Sequence, residues 1–197
     1  MKKLLFCLAL IGLMGGAVQA QAPVPFSVYA GGLISIPNSP SEFKDAYKNG
    51  FHGMVGLGMK VAPMTQFVGK VEVHKFSYDL SSFSGVQNGA QSVWLFGGDL
   101  RIAPGAPMAP FRPFVLAGVG LAKVTYGEFV GTDPLATAFL NAQNPGNQNK
   151  LYYNLGAGIE FKFAPMMNFF VQGRYVSIKT DGGSSSFIPI TLGLKIF

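Results

Sequence analysis

The run from residue 151 to residue 163 alternates without a break. Leu151, Tyr153, Leu155, Ala157, Ile159, Phe161 and Phe163 fall on one side, and Tyr152, Asn154, Gly156, Gly158, Glu160 and Lys162 on the other. Side chains alternate across a strand with a period of two, whereas a helix would spread these apolar residues around its whole circumference. The run is therefore a strand with one apolar and one polar face. Residues 51–61 repeat it, with Phe51, Val55, Leu57, Met59 and Val61 against His52, Gly56, Gly58 and Lys60. In 91–102, Trp94, Phe96, Leu100 and Ile102 oppose Gln91, Asp99 and Arg101. In 67–75, Phe67, Val71 and Val73 oppose Lys70, Glu72 and His74. Weaker candidates at 26–36, 111–126, 169–180 and 187–197 bring the set to eight strands, an even number as single-chain bacterial barrels require. The segment 111–126 is apolar on both faces, so its inward side is left open.

The strands are punctuated by a repeated phrase. Lys60-Val61-Ala62-Pro63, Arg101-Ile102-Ala103-Pro104 and Lys162-Phe163-Ala164-Pro165 each read base, apolar residue, Ala, Pro. Proline has no N–H to give a ladder, so each phrase marks a strand end. Between these short connections lie longer ones at 37–49, 78–89 and 126–148, with a short one at 181–186, all rich in Ser, Asn, Gly and Asp. Short and long connections alternate as periplasmic turns and extracellular loops do.

The ends of the chain and its composition say where such a barrel would sit. Lys2 and Lys3, an apolar stretch over residues 4–14 and Ala17-Val18-Gln19-Ala20 read as a secretory signal peptide cleaved after Ala20. The single cysteine, Cys7, lies within that signal, so residues 21–197 form one domain without thiol chemistry. Charged residues are 12% of the chain, against about 25% in soluble domains, and hydrophobic residues 49%. No segment after residue 20 is long and apolar enough for a membrane helix. An exported, charge-poor chain must then satisfy its backbone in a closed barrel. The expected fold is all-β: an eight-stranded antiparallel up-and-down transmembrane barrel. Alternation alone would also fit a soluble barrel of the lipocalin type with its apolar face inward. Mixed charges and glycines on the polar face, and the uneven connections, favour the membrane. Outer-membrane lipid is the expected partner and the cell outer membrane the expected location. The net charge of +6, two units of it in the signal, is scattered singly, which argues against nucleic acid.

The polar faces carry a candidate lumenal network: Lys60, Lys70, Glu72, His74, Asp99, Arg101, Glu160, Lys162 and Arg174. An eight-stranded barrel is just wide enough to be filled by side chains, so paired charges would plug it and no open pore is expected. The network is read as structural. For catalysis, only His52 and His74 offer an imidazole base, and His74 with nearby Ser77 and Asp79 is the nearest approach to a nucleophile, base and acid. His74 points to the lumen and His52 reads as a solvated rim residue, so no catalytic group is assigned. No ligand spacing suggests a metal, and Gly118 with Gly120 lacks the third glycine of a dinucleotide fingerprint, so no cofactor is expected. Trp94, Tyr152, Tyr153 and Tyr175 are candidates for interfacial aromatic girdles.

The phrases 111–120 (FRPFVLAGVG) and 154–161 (NLGAGIEF) and the closing strand resemble the small outer-membrane barrels of the OmpA- and OmpX-like kind. The resemblance implies eight antiparallel strands, both termini in the periplasm, and roles from structural support to adhesion and lipid chemistry. It also implies a last strand ending on an aromatic residue in phase with the lipid-facing positions, which the barrel-assembly machinery recognises. This chain departs from that. Ile190, Leu192, Leu194 and Ile196 share a face, so Ile196 holds the lipid-facing position and Phe197 comes one residue late. The expected function is that of a monomeric, non-enzymatic integral outer-membrane protein with a structural or loop-borne surface role, its surface ligand unidentified. The alternatives are a lipid-modifying barrel enzyme and a narrow solute channel.

Overall fold

The computed structural model describes residues 26–78, 86–88, 90–104, 110–131, 137–138, 141–142, 146–180 and 183–197. The signal segment at residues 1–20, Cys7 and Asp79 lie outside the described residues. Eight strands close a barrel: β1 (Phe26–Ser39), β2 (Gly50–Ala62), β3 (Thr65–Ser77), β5 (Ala90–Ile102), β6 (Phe111–Tyr126), β8 (Gln148–Ala164), β9 (Met167–Thr180) and β10 (Gly183–Ile196). Each pairs antiparallel with its chain neighbours, and β1 meets β10 from Val28↔Ile196 to Pro37↔Phe187. Closure leaves no edge, so every strand backbone finds its partners within the sheet. Two three-residue strands, β4 (Val86–Asn88) and β7 (Phe129–Gly131), pair with each other and tie two of the long loops together. The connection expected at 37–49 gives its first residues to β1 and then folds into a short helix, α1 (Ser41–Ala46). That expected at 181–186 shrinks because β10 begins at Gly183.

The faces settle the choice between membrane and soluble barrel. Val55, Leu57, Val71, Phe96, Leu100, Val115, Val119, Leu121, Leu155, Ile159, Val171 and Leu192 are exposed, while Lys70, Glu72, Asp99, Arg101, Glu160, Gln172 and Arg174 are buried inside. This polarity is the reverse of a water-soluble protein's and is what a lipid solvent demands. On β6, which the pattern left open, Phe114, Leu116, Ala122 and Val124 point inward and Val115, Val119 and Leu121 outward. Both faces are apolar because the lumen has apolar layers of its own.

Two such layers bracket the polar middle. Phe76, Val93, Leu95, Val124, Tyr152, Val176, Ile178 and Phe187 pack at the loop end, and Phe43 of α1 closes over them, its ring 5.4 Å from that of Phe76. Tyr29, Met54, Val68, Phe114, Leu116 and Phe170 pack toward the turn end. Tyr152 is thus a lumenal side chain and not a girdle residue, whereas Trp94, Tyr153 and Tyr175 face outward in the loop-end half of their strands. A second aromatic belt at the turn end is made of phenylalanines, with Phe111 against Phe161 at 5.6 Å and Phe163 against Phe169 at 4.9 Å.

Small residues make room for this filling. At Gly120 a Cβ would collide with the Phe96 carbonyl and the Tyr152 ring, and at Gly118 with the Asp99 carboxylate. Gly120→Ala should therefore lower stability by about 1–3 kcal/mol, the usual cost of overpacking a filled interior. Urea midpoints of both proteins in the same detergent check it, and an unchanged midpoint would mean that the lumen is looser than its geometry.

Candidate functional site: the lumenal polar core

The central carboxylate is Glu72. On β3, even-numbered residues point inward, which lines up Lys70, Glu72, His74 and Phe76. Arg174 of β9 grips Glu72 with both nitrogens, Nη1 to Oε1 at 2.7 Å and Nη2 to Oε2 at 2.6 Å. Strands β3 and β9 are not neighbours in the sheet, so this bidentate pair spans the lumen and braces one wall against another. Lys70 Nζ sits 2.8 Å from Glu72 and 2.7 Å from Asp99, and Asn154 donates to Asp99 at 2.9 Å. Two acids and two bases thus neutralise one another among buried side chains, the condition under which buried ions persist.

Above it lies a chain of neutral donors and acceptors. His74 Nε2 stands 3.2 Å from Glu72, His74 Nδ1 2.8 Å from Ser35 Oγ, Ser35 Oγ 3.1 Å from His52 Nδ1, and His52 Nε2 2.9 Å from Thr191 Oγ1. With each ring singly protonated, one proton order satisfies all four contacts. Thr191 donates to His52 Nε2, His52 Nδ1–H to Ser35, Ser35 to His74 Nδ1, and His74 Nε2–H to Glu72. The two imidazoles stack at 5.0 Å. His52 is therefore a buried lumenal residue and not a solvated rim residue: its strand position faces inward, between Ser35 and Thr191. The partner of His74 is Ser35, distant in sequence; Ser77 is exposed on the opposite face of β3.

Ser35, His74 and Glu72 thus form a serine–imidazole–carboxylate relay. All three side chains are sealed from solvent, at 0%, 0% and 1% exposure, and Glu72 is already held by Arg174. Neither of the cavities at the two mouths of the barrel is lined by any of them.

The second carboxylate, Glu160, lies toward the turn end. Arg101 approaches it at 2.7 Å, Arg112 at 3.0 Å and Lys195 at 3.2 Å, joining β5, β6, β8 and β10. Arg101 also lies over the Phe114 ring, 3.4 Å from its centroid. Pattern alone does not single out Arg112 and Lys195. Arg112 lay on the unassigned strand, although it sits directly opposite Glu160 in the β6–β8 register. Lys195 was visible as the inward neighbour of Ile196.

Lys60 and Lys162 are exposed at the turn end. Both keep the inward phase of their strands, Lys60 opposite Gln66 and Lys162 opposite Asn168, and their place on the last rungs before each register shift leaves them open to solvent at the mouth. No such shift interrupts β5 at Arg101, which stays inside. At the last strand, Ile196 is exposed on the outer face. Phe197 follows it, with its N–H on the Met166 carbonyl at 3.0 Å and Lys195 Nζ 4.7 Å from its ring centroid.

Comparison with known proteins agrees with this architecture. A family model described as outer membrane protein beta-barrel domain matches residues 7–195. No curated protein matches the sequence. Among solved structures, the chain is similar to Neisserial surface protein A, at 13% identity and a TM-score of 0.63, covering 87% of this chain and 96% of that one. It is similar to a major outer membrane protein of Thermus thermophilus, at 15% identity, a TM-score of 0.56 and coverage of 87% and 97%. It also resembles Ail, the attachment invasion locus protein of Yersinia pestis, solved with a heparin analogue, at 15% identity, a TM-score of 0.52 and coverage of 87% and 97%. At such identities the likeness is one of fold.

Proposed function

Since the chain belongs to the outer membrane protein β-barrel domain family and is a protein of the cell outer membrane, we propose that it acts without catalysis, as a structural and surface-presenting barrel. The observation that carries this reading is the filled lumen, in which each interior carboxylate among the described residues, Glu72, Asp99 and Glu160, is committed to a cation. Among the described residues, a side-chain plug of this kind favours bracing over conduction, and the burial of Ser35 and His74 speaks against the lipid-modifying enzyme. What remains available to partners is the loop end. There α1 is held by Phe43 and Tyr47 against the lumenal aromatics, and β4 and β7 join two loops into one ledge. Export by the N-terminal signal and recognition of the Ile196–Phe197 end by the assembly machinery belong to the same reading, as does the bracing role of the lumenal pairs.

The test is to delete the gene and to profile lipid A acylation, permeability to small solutes and surface adhesion together, with the purified protein reconstituted in planar bilayers alongside. Unchanged lipid A, no unitary conductance steps and altered adhesion or envelope integrity are expected. Fatty-acid release that disappears in His74→Ala, or resolved conductance steps, would overturn the proposal in favour of the enzyme or the channel.

A further inference from the structure

The turn-end mouth of the barrel holds a cavity of about 330 Å³, lined by Arg101, Arg112, Lys195, Lys60, Gln66 and Phe197 among others. No aspartate or glutamate lines it. Immediately behind, Glu160 is the single carboxylate shared by Arg101, Arg112 and Lys195. Three cations around one anion leave an excess of two positive charges, in contrast to the balanced set around Glu72. Lys60 adds a further charge at the rim. Like charges this close repel unless a counter-ion joins them, and the low-dielectric walls make that repulsion larger than it would be in water. Two nitrogens also remain uncommitted: Arg101 Nε and Arg112 Nε are buried without a hydrogen-bond partner. Arg101 itself is only 4% exposed, so its guanidinium is fixed in place before any ligand arrives.

We infer that this periplasmic mouth is a binding site for a phosphate group, held by Arg101, Arg112 and Lys195. Guanidinium groups match the oxygens of phosphate with paired donors, and the ammonium of Lys195 supplies a point charge beside them. The mouth opens at the membrane surface among Phe26, Met64 and Phe197, which give the cavity an apolar flank. The phosphate of an anionic phospholipid headgroup and that of a free phosphate share this chemistry, and the site accepts both by the same contacts. The inference is independent of the surface role proposed above, because it concerns the opposite end of the barrel.

The experiment uses the whole folded protein in a neutral, phosphate-free detergent. Its thermal unfolding is followed while inorganic phosphate, or phosphatidylglycerol incorporated in the micelle, is titrated against sodium chloride of equal ionic strength. Saturable stabilisation beyond that of chloride is expected. Arg112→Gln should weaken the apparent affinity about tenfold or more, the scale of a lost charge-assisted hydrogen bond. Response to phosphate alone assigns the site to a soluble phosphate, and response only to phosphatidylglycerol assigns it to a lipid headgroup. Lys60→Gln, at an exposed position where folding is not at stake, should weaken binding less, and Lys75→Gln at the far end should leave it unchanged. The inference is overturned if neither ligand stabilises beyond chloride, or if the stabilisation survives intact in both Arg112→Gln and Lys60→Gln.

Discussion

Replacing Glu72 by alanine will destabilise the folded barrel by about 3–5 kcal/mol, the cost of stranding one member of a buried ion pair. The reason is specific to its neighbours. Lys70 keeps Asp99 at 2.7 Å when Glu72 is gone, but Arg174 loses both of its short contacts in a position fully closed to water. His74 loses the acceptor that terminates the Thr191–His52–Ser35–His74 chain as well. Glu72→Gln should lose less, since an amide oxygen still accepts from Arg174. The double variant Glu72→Leu, Arg174→Leu should be closer to the parent than Glu72→Ala, because apolar replacement of both partners removes the stranded charge together with the bond. Denaturant unfolding in lipid vesicles, read by the single tryptophan, Trp94, on the outer face, measures all three. An unchanged midpoint for Glu72→Ala would mean that the lumen is wet enough to solvate Arg174 unaided.

The depth at which sequence reveals such a network follows from the period of a strand. Alternation is local, so the inward faces of β3, β5 and β8 could be read from one segment at a time, and with them Lys70, Glu72, His74, Asp99, Arg101 and Glu160. Partnership is not local. Arg174 and Glu72 meet across the barrel, and Ser35 meets His74 only because β1, β2 and β3 are adjacent in the closed sheet. No spacing in the chain encodes those encounters. Alternation gives the phase of a residue and not its depth, which is why Lys60 and Lys162 carry the same local phrase and phase as Arg101 and yet stand exposed on the last rungs while Arg101 is buried. His52 escapes a local reading for a different reason. It stands near the start of its strand, beside a loop, but β1 rises beyond it as far as Ser39 and α1 covers the mouth, so the residue is enclosed. On β6 an apolar lumen made both faces look alike, and Arg112 was lost with the face.

Placing an arginine at Val119 should cost about 2–4 kcal/mol, and placing a lysine at Ile196 only about 0–1 kcal/mol, although both residues face outward. Val119 lies midway along β6, 68% exposed, between Gly98 and Tyr153 on the flanking strands. Ile196 pairs with Val28 and Met167 at the last rung of the turn end. If lipid is the solvent, a charge at mid-height must be drawn into hydrocarbon, whereas one at the end can reach headgroups and water. A barrel surrounded by water would show no such gradient, and Val119→Arg would be neutral or favourable there. The last strand adds a second contrast. Phe197→Ala removes a ring that lies beyond the ladder, against Lys195. It should leave the stability of the folded barrel nearly unchanged while slowing insertion, if the terminal aromatic serves assembly. Equilibrium unfolding in vesicles separates the first pair, and refolding rates into lipid report on the third variant. Equal losses for Val119→Arg and Ile196→Lys would contradict the membrane depth assigned to these strands. A large equilibrium loss for Phe197→Ala would show that its ring holds the mouth of the barrel together, because the residue past the final rung would then contribute as much as one within it.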